Sequence, residues 1–193
     1  SVDGVAFTKD KTILIAYPSL RKGHYDIPEG TLSVYSYSFS SSAIESVNFP
    51  DSLDNIGDNA FSYCEKLKHI GFNKTIEDFS RYGSDNIFTR CGIEVLDIPG
   101  NIKVLGETMF YSCQAKKLIL HEGIEIIKGG ALNFAYPDAE IELPESLKFV
   151  NGSNFIGNKI NVVRAKRRTP KGFLENVIAS CIPYDNKFIK PYT

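Results

Sequence analysis

Apolar residues between Ile44 and Cys64 change their spacing partway along the stretch. Before Pro50 they alternate with polar ones, Val47 and Phe49 against Ser46 and Asn48; after it they come three, three and four residues apart, at Leu53, Ile56 and the pair Ala60-Phe61, and Cys64 closes the unit. Alternation with period two predicts a strand with one buried face. The wider spacing that follows predicts turns, or a short 3₁₀ or helical segment, returning across the opposite side. Pro50 has no N–H to give to a ladder and so marks the end of the strand.

The unit recurs. Taking Pro50 as zero, equivalent positions are Pro28, Asn73, Pro99, His121 and Pro144, at intervals of 22, 23, 26, 22 and 23 residues. Pro99, for example, is followed by Ile102, Leu105 and Met109-Phe110, and His121 by Ile124, Ile127 and Ala131-Leu132. The long interval coincides with a polar insertion around Ser80 to Asn86. A fixed period in the range of about 20–29 residues is that of leucine-rich repeats, well below ankyrin or TPR units. The predicted fold is an α/β repeat solenoid whose short parallel strands, spaced by ~4.8 Å, stack into a curved sheet. One domain then fills 1–193: a hairpin cap over 1–23, about six repeats over 24–158, and a terminal strand with its cap over 159–193. Phe61, Phe110 and Phe155 belong in the core of such a stack.

Two short β-rich runs, Val5 to Phe7 and Ile13 to Tyr17, flank a polar Lys9-Asp10-Lys11 turn and read as the hairpin. A hairpin there covers the unpaired edge of the first rung. Cys64, Cys91 and Cys113 each follow the phenylalanine of their unit by three residues and form a column continued by Ser42, Ala135 and Asn158. No cysteine has a second one, or a histidine, at metal-ligand spacing, so the column reads as buried free thiols and no metal is assigned. His24 and His69 share one strand position two rungs apart, ~9.6 Å by strand spacing, with Ser46 between; that separation is too great for one ion.

Composition narrows the classes. The 193 residues are 42% hydrophobic and 23% charged with a net charge of -1, and no apolar run is long enough to span a membrane. Near-neutral charge argues against a nucleic-acid partner. The one basic cluster, Arg164 with Lys166, Arg167 and Arg168, reads as a solvated strand end. The start at Ser1, without a charged-then-apolar leader, fits either a cytosolic protein or the trimmed part of an exported one. No P-loop, Gly-x-Ser-x-Gly or His-Glu-x-x-His motif is present, so neither an enzyme nor a cofactor is expected. Asn73-Lys-Thr75 and Asn151-Gly-Ser153 are glycosylation sequons.

The run Phe49-Pro-x-x-Leu53-x-x-Ile56-Gly57-x-x-Ala60-Phe61-x-x-Cys64 resembles the BspA-like, treponemal-type leucine-rich repeats of bacterial and protist surface proteins. Departures occur at Asn73 and His121 for proline, and at Ala131-Leu132 and Asn154-Phe155 for Ala-Phe. The resemblance covers nearly the whole chain. It implies export, a location outside the cell or on its surface, ligand binding without catalytic residues, and a protein partner such as a host matrix or cell-surface protein.

Solenoids of this kind commonly bind partners on the concave sheet. The outward strand positions there are His24, Asp26, Ser46, Asn48, His69, Gly71, Val95, Asp97, Lys117, Ile119, Glu140 and Glu142, continued by Val162 and Arg164. The row is mixed and lacks the aromatic and arginine enrichment of strong anchors. Two readings follow: a binding or adhesion module that uses this face, the convex turns or the Ser80 insertion, and a structural spacer that holds another domain away from a surface.

Overall fold

A computed structural model describes residues 3–80, 85–133, 139–155 and 160–165. The chain begins with strands β1 (Ala6–Phe7) and β2 (Ile13–Ala16), which pair antiparallel. Asp10 closes their turn by accepting from Thr8 Oγ1 at 2.6 Å and from the Thr12 amide at 3.2 Å. Units then follow in order. The first holds β3 (Gly23–Asp26) and β4 (Ser33–Val34), the second β5 (Ile44–Asn48) and β6 (Asn55–Ile56), and the third β7 (His69–Gly71). The fourth holds β8 (Val95–Ile98) and β9 (Val104–Leu105), and the fifth β10 (Lys117–Leu120) and β11 (Ile126–Ile127). The sixth has β12 (Ala139–Leu143), β13 (Phe149–Val150) and a 3₁₀ turn over Gly152–Phe155, and β14 (Ile160–Ala165) runs beside β12.

The units are therefore three-sided: a longer strand, a second strand of two residues, which in the third unit is only a single bridge at Asp78, and a turn. The expected return across the far side is made by the short strand and the turn, and apart from the single 3₁₀ turn no helix occurs among the described residues. The apolar residues three apart, Leu53 and Ile56, are both core residues, but Ile56 reaches the core from a strand. β2 pairs parallel with β4, so the hairpin supplies the first rung of the short-strand column.

The turn side carries its own ladder. In four units, two turn residues four apart take positive φ: Tyr37 and Ser41, Asn59 and Tyr63, Asn86 and Arg90, Thr108 and Ser112, with values from 50° to 62°. A non-glycine residue there costs roughly 1–2 kcal/mol. The conformation aims each of these amides at the next unit, as in Tyr37 N to Asp58 O at 3.0 Å and Tyr63 N to Thr89 O at 2.7 Å, and the phenylalanine between them does the same, Phe39 N to Ala60 O at 2.8 Å. Three N–H groups per turn thus find partners in a neighbour, which offsets the strain.

Between the sides lies the core. Tyr17, Phe39, Phe61, Phe88 and Phe110 form one pile of rings, with centroids 4.6, 4.5, 5.3 and 5.2 Å apart and planes within 24° of parallel. The four phenylalanines are wholly buried. The Phe155 side chain lies outside the described residues. Cys64, Cys91 and Cys113 are buried and unpaired as disulfides. Each thiol reaches a phenylalanine carbonyl one unit back, Phe39 O, Phe61 O and Phe88 O, at 3.0, 3.1 and 2.9 Å. Burial pushes the Cys91 thiol well above its ordinary pKa.

The third unit is offset. The long strands form three separate ladders, β3–β5–β7, β8–β10 and β12–β14, where an even period predicts one continuous sheet. β7 pairs with β5 and not with β8. On the short-strand side the opposite holds: Asp78 bridges to Val104 of the fourth unit, and no ladder joins it to β6. The insertion allows this, because its extra residues let the third unit lean from one neighbour on one side to the other neighbour on the next. Each lean opens a cleft: about 260 Å³ between β7 and β8, and about 400 Å³ lined by Asp54, Thr75, Ile76, Glu77 and Asp78.

Asn73 takes the proline's place in this unit. Its buried amide donates to Pro50 O and Leu53 O, both at 2.9 Å, and its Oδ1 accepts from Ile76 N at 3.1 Å. The nitrogen is fully used, so the first sequon is not an accessible glycan acceptor. The proposed C-terminal cap, Cys181 and the basic residues Lys166, Arg167 and Arg168 lie outside the described residues.

Candidate binding face

Alternation along the long strands sends Tyr25, Val47 and Leu96 inward and their neighbours outward. His24, Asp26, Asn48, His69, Val95, Asp97, Lys117 and Glu142 are exposed, and Ser46, Gly71 and Ile119 are half-buried. Cα pairing sets His24, Ser46 and His69 in one row and Asp26, Asn48 and Gly71 in the next. Further down, Val95 stands beside Lys117 and Asp97 beside Ile119. Glu140 pairs with Val162 and Glu142 with Arg164 by backbone; the side chains of Glu140, Val162 and Arg164 lie outside the described residues.

At the first two rungs the residues are joined. His24 Nδ1 lies 2.8 Å from Ser46 Oγ and His24 Nε2 lies 2.9 Å from Asp26 Oδ1, and Asn48 Nδ2 donates to the same carboxylate oxygen at 2.8 Å. An ionised Asp26 only accepts, so Nε2 carries a proton, and in the neutral ring Nδ1 then accepts from the Ser46 hydroxyl. The bonds from His24, then Asn48, hold the Asp26 carboxyl below its ordinary value. This serine–histidine–aspartate chain stands in open water, with His24 45% and Asp26 71% exposed, and its effect is to fix four side chains in one orientation. The Asn48 Oδ1 lies over Gly71, where an added Cβ would collide with it, so the row has a flat spot there.

Lower down, His121 Nε2 meets Asp97 Oδ1 at 2.7 Å. His121 occupies a zero position and was not part of the predicted row; a histidine standing where the repeat has proline is the signal that marks it. Beside the face, Glu94 takes Lys68 Nζ at 2.7 Å and Lys116 Nζ at 3.2 Å, which lowers its carboxyl pKa. Among the described residues no three histidines, cysteines or carboxylates converge as a metal site.

Between His69 and Asp97 the face is split by the cleft. His69, Ile70, Phe72, Ile93, Val95, Leu96 and Asp97 line it, and Val95 is 50% exposed at its mouth. Alternation places Val95 in the row, but Ile70 and Phe72 are core positions by pattern, and only the missing ladder leaves them partly exposed, over a floor that includes the buried Ile93.

No curated protein matches the chain. Its backbone resembles a leucine-rich repeat protein of T. pallidum, with 21% identity and a TM-score of 0.59 over 90% of each chain. It also resembles the pneumococcal vaccine antigen PcpA, with 22% identity and a TM-score of 0.58. There it covers 98% of this chain and 46% of PcpA, so the chain spans about half of that protein's length. A leucine-rich repeat protein of Bacteroides ovatus matches over 74% of this chain and 33% of its own length, with 21% identity and a TM-score of 0.51. These likenesses concern the fold. The BspA type leucine rich repeat region matches residues 23–83 and 81–181 in six copies, in agreement with the period and the stacked units, and the chain belongs to that family.

Proposed function

We propose that the chain is a protein-binding module exposed outside the cell or on its surface, and that the outward row of the long strands is its contact face. The observation that carries this reading is the network over His24, Asp26, Ser46 and Asn48: exposed polar side chains already held in one arrangement lose little freedom when a partner docks. The pair His121–Asp97 repeats the device lower on the face. Likeness to a vaccine antigen supports the surface setting, and among the described residues no helix is long and apolar enough to cross a membrane.

The test replaces His69, Asp97 and Lys117 together by alanine. All three are exposed, so the melting temperature should stay near that of the parent, whereas loss of a true anchor costs ~2 kcal/mol of affinity or more. Adhesion to immobilised matrix proteins and host cells is then compared. Equal adhesion by parent and variant removes the middle of the face from the proposal. A parent that adheres to nothing returns the chain to the role of a spacer.

A further inference from the structure

The break between β7 and β8 leaves two strand edges facing one another without a ladder. Which groups point into it follows from the bonds on their other sides. Gly71 O accepts from Phe49 N, so Gly71 faces β5 and its neighbours Ile70 and Phe72 face the break. Glu94 O and Ile98 O accept from Lys117 N and His121 N, so Val95 and Asp97 face it from the other side. Within the ladders β3–β5–β7, β8–β10 and β12–β14 such edges are paired; here their N–H and C=O groups border an opening of about 260 Å³. Its walls are apolar, Ile70, Phe72, Ile93 and Leu96, and its rim carries His69 and Asp97.

We infer that this break is a docking slot for one extended segment of a protein partner, which adds as a strand between β7 and β8 and buries an apolar side chain against Ile70, Phe72 and Leu96. The inference rests on the partner-binding reading and names the segment that the face takes. Complementarity selects the occupant. Among the described residues no ladder pairs these two parallel rows of backbone donors and acceptors across the break, and such rows are matched only by another extended backbone, which is the recognition mode of strand addition. The volume lies below the about 300–1,000 Å³ of small-molecule pockets and suits a single leucine- or phenylalanine-sized side chain. Among the described residues of units one to four, no other break joins unpaired long-strand edges to an apolar floor.

The test uses the whole chain and fluorescein-labelled heptapeptides of alternating threonine and valine, with leucine, isoleucine, valine, phenylalanine or methionine at the centre. Binding is read by anisotropy, and amide hydrogen exchange is followed at Ile70, Phe72, Val95 and Asp97. At least one peptide should bind and slow exchange at those amides tenfold or more. N-methylation of alternate amides on the bonding edge of that peptide should abolish binding, and Val95→Lys should weaken it at least tenfold, with Tyr111→Lys on the turn side as an unaffected control. Failure of every peptide, binding that survives methylation on either edge, or equal affinity of V95K overturns the slot. So does a concentration-dependent dimer that V95K dissolves, since the occupant is then a second copy. The methylation arm uses the unaltered protein and stands even if V95K unfolds. If V95K keeps parental adhesion while the triple alanine variant loses it, the slot fails and the face stands; if peptides bind the slot but the parent adheres to no matrix or cell, the adhesion reading fails alone.

Discussion

Phe61 sits in the middle of the ring pile, and truncating it tests whether the stack or mere bulk holds the units together. It is wholly buried and touches Phe39 at 4.5 Å, Phe88 at 5.3 Å and Phe49 at 5.8 Å. Phe61→Ala removes the ring and leaves a cavity between rungs that cannot close, because the turn ladder fixes their spacing. Core Phe→Ala changes cost about 3–5 kcal/mol, and three ring partners place this one near the upper end. Phe61→Leu keeps most of the apolar volume and loses the ring contacts, for an expected cost of about 1–2 kcal/mol. Urea denaturation followed by far-UV circular dichroism gives both, compared at the transition midpoint with the slope checked for loss of two-state behaviour. Equal losses for the two substitutions would make ring stacking the dominant contribution. A loss below about 1 kcal/mol for F61A would refute the assignment of Phe61 to a rigid core.

Further expectations concern the thiols, the asparagine and the charges. Cys64, Cys91 and Cys113 should react with a thiol reagent only after denaturation, since they are buried and the Cys91 pKa is raised; rapid native labelling of all three would contradict this. Asn73→Ala removes the partners of Leu53 O and Ile76 N, while Pro50 O keeps the Leu53 amide, and should cost about 1–3 kcal/mol, and mass spectrometry after expression in a glycosylating host should find Asn73 bare. The Glu94 carboxyl should titrate below its usual 4.5, because hydrogen bonds from Lys68 and then Lys116 favour the anion. A lowered folded pKa means that this contribution is present above the ordinary glutamate value and fades as pH falls through the lowered one; carbon-13 titration should show Lys68→Ala moving the midpoint back up.

Long-strand alternation, the six zero positions and the cysteine column were legible because each is a local spacing that repeats. The short-strand column was not. Ser33–Val34 and Asn55–Ile56 are too short for period two to show, and Leu53 and Ile56 three apart imitate a tight helix. Nor do Tyr37, Tyr63, Arg90 or Thr108 announce a positive φ: no glycine marks these positions, and the conformation is stabilised by a carbonyl 21 to 26 residues away. The insertion was visible as a long interval, but its effect depends on which neighbour each side of the unit pairs with. On the candidate face, His24 and Asp26 were expected from alternation, whereas their bonds to Ser46 and Asn48 come from a 22-residue rung offset that only stacking supplies.

The lean of the third unit makes a lap joint. Between the second and third units the long strands and turns are bonded and the short strands are not; between the third and fourth, the short strands and turns are bonded and the long strands are not. Each junction therefore keeps two of its three seams, and the two open seams lie on different sides. A crack that starts along either cleft meets bonded backbone one unit further on, so force applied along the stack passes diagonally through the third unit. Extra residues can thus be accommodated in mid-stack without cutting the chain into two independently unfolding blocks, as an insertion that opened all three sides at one junction would do.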